Sequence, residues 1–144
     1  MKVKLNLSSE YRDPEAEIRT ARITGEVEAA VDFLQNPAQI VTAYAGEKMV
    51  VLKPADVYMV RVENEKTVLY TKTRSCLSGK RLYELQKMLG NGFMRISKSA
   101  IVNLNYLDHV EAEFGGMMLL TLQNGSQEYV SRHYLPDFKK YLGL

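Results

Sequence analysis

The chain has a single cysteine, Cys76, in 144 residues. No intrachain disulfide can form, which fits a reducing compartment. A chain of this length can bury a core without one. It also lacks any apolar run near the roughly 18 residues that a membrane-spanning helix needs. The N-terminus, MKVKLNLSSEYRD, is too polar for a secretory signal. These absences lead to the expectation of a cytoplasmic protein. Histidine is scarce: His109 and His133 stand without the spacing of a zinc motif. No P-loop, GxGxxG or nucleophile elbow occurs. The carboxylates are scattered, and the lone cysteine has no defined partner. The expectation is therefore a protein that is not an enzyme, with no cofactor, no metal and no small-molecule substrate.

Excess charge of one sign is missing too. There are 19 Lys/Arg against 17 Asp/Glu, a net +2. The distribution carries more information. Residues 1–44 hold five Lys/Arg against seven Asp/Glu, residues 45–90 nine against five, and residues 93–144 five against five. The positive excess lies in the middle third, compatible with an anionic partner touching one region. What is present otherwise is ordinary: 46% hydrophobic and 25% charged residues, as in a soluble globular domain.

KVKLNL (2–7) alternates polar and apolar and predicts a short strand. TGEVEAAVDFLQNP (24–37) predicts a helix capped by Thr24 and closed by Pro37, with Val27, Ala30, Val31 and Leu34 on one face. From residue 39 hairpins dominate. QIVTAYAGEKMVVL predicts two strands with a turn at Ala45–Lys48, and DVYMVRVENEKTVLYTKT two more with a turn at Glu63–Lys66. SGKRLYELQKMLGNG (78–92) predicts a helix capped by Ser78 and stopped by Gly90–Asn91–Gly92, with Leu82, Leu85 and Leu89 as its stripe. FMRIS and YLDHVEAE read as strands. MMLLTL and QEYVS flank an Asn-Gly turn within Gln123–Ser126. YLPDFKKYL closes the chain as a short helix. The sum is about eight strands and three helices, without the rhythm of a parallel nucleotide-binding sheet.

Three polar groups interrupt this apolar pattern: Lys66-Thr67, Ser97-Lys98-Ser99 and Ser131-Arg132-His133. Each lies where a β-element ends, and loops on a rigid scaffold often carry binding residues. Their chemistry suits DNA. Arg and Lys reach guanine edges or neutralise phosphates, and hydroxyls and loop amides bond phosphate oxygens. The same residues also suit solvated turns beside a helix start, with Ser131 as an N-cap.

FMRISKSAIVNLNYLDHVEA (93–112) followed by LTLQNGSQEYVSRHYLPDFKKYL (120–142) resembles the LytTR DNA-binding domain of bacterial transcriptional regulators. The matching residues are Phe93, Arg95, Ser97, Lys98, Ser99, Val102, Asn103, Val130, Ser131, Arg132 and Tyr134. The resemblance covers roughly residues 45–144 and implies a mainly β fold with small helices (α+β). Its sheets would be the elongated antiparallel sheets of the LytTR type, preceded by a strand-helix extension at 1–44 that could bind a partner or a second copy. It further implies loops that enter successive major grooves. Lys98 and Arg132 would read bases, and the turn at Lys66 and Thr67 would make a third contact. Ser97, Ser99, Ser131 and His133 would touch phosphates or make secondary contacts. Arg95 would brace the loop or join the contact, and Asn103 would tie the loop's backbone.

Residues 1–44 are too few for the phosphorylation receiver that many members of the family carry. The resemblance then implies a short regulator without one. Its partners would be double-stranded DNA carrying direct repeats, a second copy of the chain as a homodimer, and a small integral-membrane protein that restrains it. The competing reading keeps the scaffold as a protein-interaction module whose acidic N-terminal third binds a membrane or regulatory protein.

Overall fold

The structure, a computed structural model, describes residues 1–35 and 39–144. It divides into two compact units, Met1–Asn36 and Pro37–Leu144. In the first, the expected helix forms as α1, Gly25–Gln35. The Thr24 hydroxyl accepts the Val27 N–H at 3.4 Å, and the Thr24 carbonyl accepts the Glu28 N–H at 2.9 Å. Val27, Ala30 and Val31 are half-buried, whereas Leu34 is exposed. The stop assigned to Pro37 lies outside the described residues. The strand expected at 2–7 does not form. Alternation alone does not make a strand without a ladder partner, and Val3, Leu5 and Leu7 stand 88%, 78% and 86% exposed.

The second unit is built from antiparallel strands and two helices. In chain order these are β1 (Val41–Ala45), β2 (Lys48–Leu52), β3 (Met59–Glu63), β4 (Lys66–Tyr70), β5 (Ser75–Ser78), α2 (Leu82–Leu89), β6 (Phe93–Ser97), β7 (Ala100–Asn103), β8 (Leu107–Ala112), β9 (Met118–Leu122), β10 (Gln127–Val130) and α3 (Leu135–Leu142). A seven-stranded sheet runs β2-β1-β5-β4-β3-β7-β6, and a three-stranded sheet runs β10-β9-β8. The turns expected at Ala45–Lys48, Glu63–Lys66 and Gln123–Ser126 all join their hairpins. Two strands lie outside the sequence expectation. β5, Ser-Cys-Leu-Ser, is too short and polar to alternate visibly. β7, Ala-Ile-Val-Asn, is fully buried between β3 and β6, so both its faces are covered and no alternation shows.

The capping expectations need correction. The N-cap position of α2 is Arg81, and Ser78 instead ends β5, its Oγ accepting the Lys80 N–H at 3.1 Å. The N-cap position of α3 is Tyr134, not Ser131. The expected stripe of α2 is correct, with Leu82, Leu85 and Leu89 buried.

Strand pleating sends alternate residues to two cores. Val60, Leu69, Cys76 and Ile101 meet the α2 leucines on one face of the large sheet. Met59, Ala100, Val102 and Ile96 of β6 meet Leu120, Leu122, Val130 and Phe138 of the small sheet and α3 on the other. Buried Asn103 does not tie the backbone of the Ser97–Ser99 loop, as expected of it, but fastens the end of β7 to the segment before β3. Its Nδ2 donates to the Val57 carbonyl at 2.9 Å, and its Oδ1 accepts the Asn105 N–H at 3.1 Å. Tyr58 and Tyr106 stack beside it with centroids 3.8 Å apart.

Candidate nucleic-acid interface

The turn between β6 and β7 is shaped by a bulge. The register passes from Arg95↔Ile101 to Ser97↔Ala100, leaving Ile96 as the extra residue. Bulges re-aim the chain beyond them. Here Ile96 points into the core with no exposed surface, and its carbonyl accepts the Ser131 N–H at 2.9 Å. That one backbone bond brings the end of β10 against the β6–β7 turn. Two polar groups 34 residues apart, read from Ser97 to Ser131, thereby share one surface. Ser97, Lys98, Ser99, Ser131, His133 and Tyr134 line a common cleft.

The turn is held from within. The Ser97 Oγ accepts the Ser99 N–H at 3.2 Å and lies 3.3 Å from the Ser99 Oγ. Arg95 donates through Nε to the Ser97 carbonyl at 2.9 Å and through Nη2 to the Lys98 carbonyl at 2.6 Å. The Ser99 carbonyl accepts the Val62 N–H at 2.8 Å, tying the turn to β3. Arg95 therefore spends its guanidinium on the turn's backbone, while the Lys98 side chain is left exposed. Arg132 and His133 are exposed, and the His133 ring meets Tyr134 edge-on at 4.9 Å.

A second cleft continues from Lys98. It is lined by Lys66, Thr67, Arg95 and Lys98, by Ser78, Gly79, Lys80 and Arg81 of the β5–α2 corner, and by Tyr44 and Tyr83. Lys66 opens β4 opposite Glu63, at a turn whose Asn64 and Glu65 take φ +49° and +65°. Thr67 lies inside β4 rather than in the turn, and is buried. Residues of all three groups thus line two clefts that share Lys98, although exposed Arg132 itself lines neither. Lys80 and Arg81 escaped the sequence reading because they looked like the start of a helix; the positive excess of the middle third was the signal available. Among the described residues, Lys66, Lys80, Arg81, Lys98 and Arg132 form no ion pair.

A contrasting cation, Arg61, is fully engaged. It donates through Nε to Glu63 at 2.6 Å, through Nη1 to Glu128 at 3.1 Å and through Nη2 to the Tyr70 hydroxyl at 3.0 Å, and Tyr70 itself donates to Glu63. Burial opposes its charge, but the bonds to Glu63, Glu128 and Tyr70 outweigh burial and raise its pKa. The Tyr70 hydrogen bond, followed by Arg61, holds the Glu63 carboxyl below its ordinary range against the effect of burial. Burial and the Glu63 bond push the Tyr70 phenol up. This network joins β3 and β4 of the large sheet to β10 of the small one.

Among the described residues no group of three His, Cys, Asp or Glu side chains could hold a metal ion. No described helix is long and apolar enough to cross a membrane. Cys76 is buried.

Comparison with known proteins bears on what this surface is for. The model of the LytTr DNA-binding domain family matches residues 47–143. A protein of Staphylococcus aureus strain MSSA476, described as an HTH-type transcriptional regulator, is 26% identical over 146 aligned residues, covering 100% of this chain and 99% of that protein. A counterpart in strain MRSA252 is 25% identical with the same coverage. The LytTr DNA-binding domain of a Bacillus cereus protein, described as a methyl-accepting/DNA response regulator, shares the fold. Its TM-score is 0.68 at 24% identity, covering 74% of this chain and 98% of that one. The described residues contain no helix-turn-helix, because β1–β5 separate α1 from α2 and β6–β10 separate α2 from α3. The mainly β architecture, the surface assembled from strand ends and the match across residues 47–143 lead to one conclusion: the chain belongs to the LytTR family of DNA-binding domains.

Proposed function

We propose that the protein is a cytoplasmic, sequence-specific transcriptional regulator that reads successive major grooves with loops. The observation that supports this reading is that residues of the three polar groups line two clefts sharing Lys98, whose cations form no ion pair among the described residues. Lys98 and Arg132 enter grooves and read base edges, and the Lys66–Thr67 strand start supplies a third contact. Ser97, Ser99, Ser131 and His133 bond phosphates. Arg95 acts from behind, fixing the backbone from which Lys98 projects. The protein binds direct repeats as a homodimer, and a small integral-membrane protein restrains it. Helix α1, acidic at Glu26, Glu28 and Asp32, supports a protein-binding role for the N-terminal unit, with Phe33 70% exposed.

The test is selection of duplexes from a random pool, then titration of the winner with wild type and Arg132→Ala at two salt concentrations. The expected outcome is a repeated motif whose preference the variant loses, at a cost of roughly 1–3 kcal/mol at its base pair. Equal affinity of both proteins for the best site would remove Arg132 from the groove. Enrichment of no motif would favour the interaction-module reading.

A further inference from the structure

The β5–α2 corner, Ser78-Gly79-Lys80-Arg81, has no role in the contacts proposed above. Yet it forms a wall of the same cleft as Lys66, Arg95 and Lys98. The corner has a defined shape, because the Ser78 Oγ accepts the Lys80 N–H. Arg81 is exposed and Lys80 half-buried, and neither has an acidic partner within the described residues. Other cations of the middle third, including Lys48, Lys53, Lys72, Arg74 and Lys87, line neither cleft.

Gly79 supplies an independent observation. Its φ lies outside the left-handed region, and a Cβ built on it would meet nothing within 4 Å. Neither backbone conformation nor internal packing therefore requires glycine here. A glycine that the fold does not require, on the wall of a basic cleft, suits the close approach of something from outside. The cleft's cations suit an anion as occupant, and its sharing of Lys98 with the neighbouring cleft suits a polyanion. Phosphate oxygens are the anionic groups of a duplex, and contacts to them set register without reading sequence.

We propose that Gly79, Lys80 and Arg81 form a phosphate-binding corner that grips the DNA backbone next to the groove entered by Lys98. The corner positions the duplex, while Lys98 and Arg132 read it. This inference rests on the DNA-reading function proposed above, and the experiment separates the two.

Wild type, Lys80→Gln/Arg81→Gln and Gly79→Ala are titrated against the selected duplex and an unrelated duplex of equal length over a salt series. Thermal melts of each variant report folding. The expected result for the double variant is a similar fold-loss on both duplexes, with the slope of log affinity against log salt reduced by roughly 2, about 1 per cation. Gly79→Ala is expected to keep the wild-type melting temperature and weaken both duplexes alike. The charge-preserving Lys80→Arg/Arg81→Lys variant is expected to restore the slope. Wild-type affinity and slope in the double variant would overturn the corner while leaving the regulator reading intact. Altered base preference without weaker binding to the unrelated duplex would overturn the phosphate assignment. Wild type that binds neither duplex would overturn both readings at once.

Discussion

At the residue scale the side chains divide into those that hold the surface and those that face out from it. Arg95 and Asn103 belong to the first group, although both lie in the motif that resembles a DNA-contact sequence. Asn103 is 2% exposed, and its amide meets the Val57 carbonyl and the Asn105 N–H. Replacing it with alanine leaves the buried Val57 carbonyl without that partner. Asn103→Ala is expected to lower stability by about 2–3 kcal/mol, read from the urea midpoint at unchanged slope. Glu63 gives a pH prediction at the same scale. Its carboxyl titrates below the usual range because of Tyr70 and Arg61. The stability it contributes is therefore complete above the unfolded-chain carboxylate range of about pH 4 and is lost as pH falls through the lower folded value. Glu63→Gln is expected to flatten the acid limb of a stability-against-pH curve in that window. An unchanged limb would mean the network does not set it.

At the element scale the β3–β4 hairpin holds an avoidable strain. Both central turn residues are left-handed, at φ +49° for Asn64 and +65° for Glu65. Asparagine tolerates that region, whereas glutamate does so at a cost, and Asn-Gly is the preferred pair for such turns. Glu65→Gly is expected to raise stability by about 1 kcal/mol, measured by urea unfolding. It also removes the carboxylate that lines the basic cleft beside Lys66. Tighter binding to any duplex should therefore accompany the gain, with a steeper salt dependence. The hairpin itself was plain in the sequence, since its strands alternate and its turn is polar. β5 and β7 were not, because one is short and polar and the other is buried on both faces.

At the scale of the whole second unit, the contact surface depends on the small sheet docking against the large one. Polar links on that seam include the Ser131 N–H to the Ile96 carbonyl, Asn124 to the Thr71 carbonyl, and Arg61 to Glu128. The side chains of the last pair are mostly sheltered, with 19% of Glu128 and 31% of Arg61 exposed. Glu128→Gln is expected to cost roughly 1–2 kcal/mol. Hydrogen exchange should quicken in β10 and at Ser131 more than in the centre of the large sheet. Duplex affinity should fall with it, because Ser131 and His133 lose their fixed place in the cleft of Lys98.

The sequence by itself determined the local pieces. Alternation and turn chemistry act between near neighbours, so the hairpins, the stripe of Leu82, Leu85 and Leu89, and the three polar groups at strand ends were legible. The motif also marked out Lys98 and Arg132. Tertiary structure decided what lies beside what. The order β2-β1-β5-β4-β3-β7-β6 brings the corner at Lys80 and Arg81 to the cleft of Lys66 and Lys98, and the bulge at Ile96 brings Ser131 to Ser97. Residues 2–7 show the same limit from the other side, with a strand's alternation and no strand. The physical reason is common to all three: a side chain's periodicity is local, but a strand's partner, and the neighbour across a cleft, are set by pairings between distant parts of the chain.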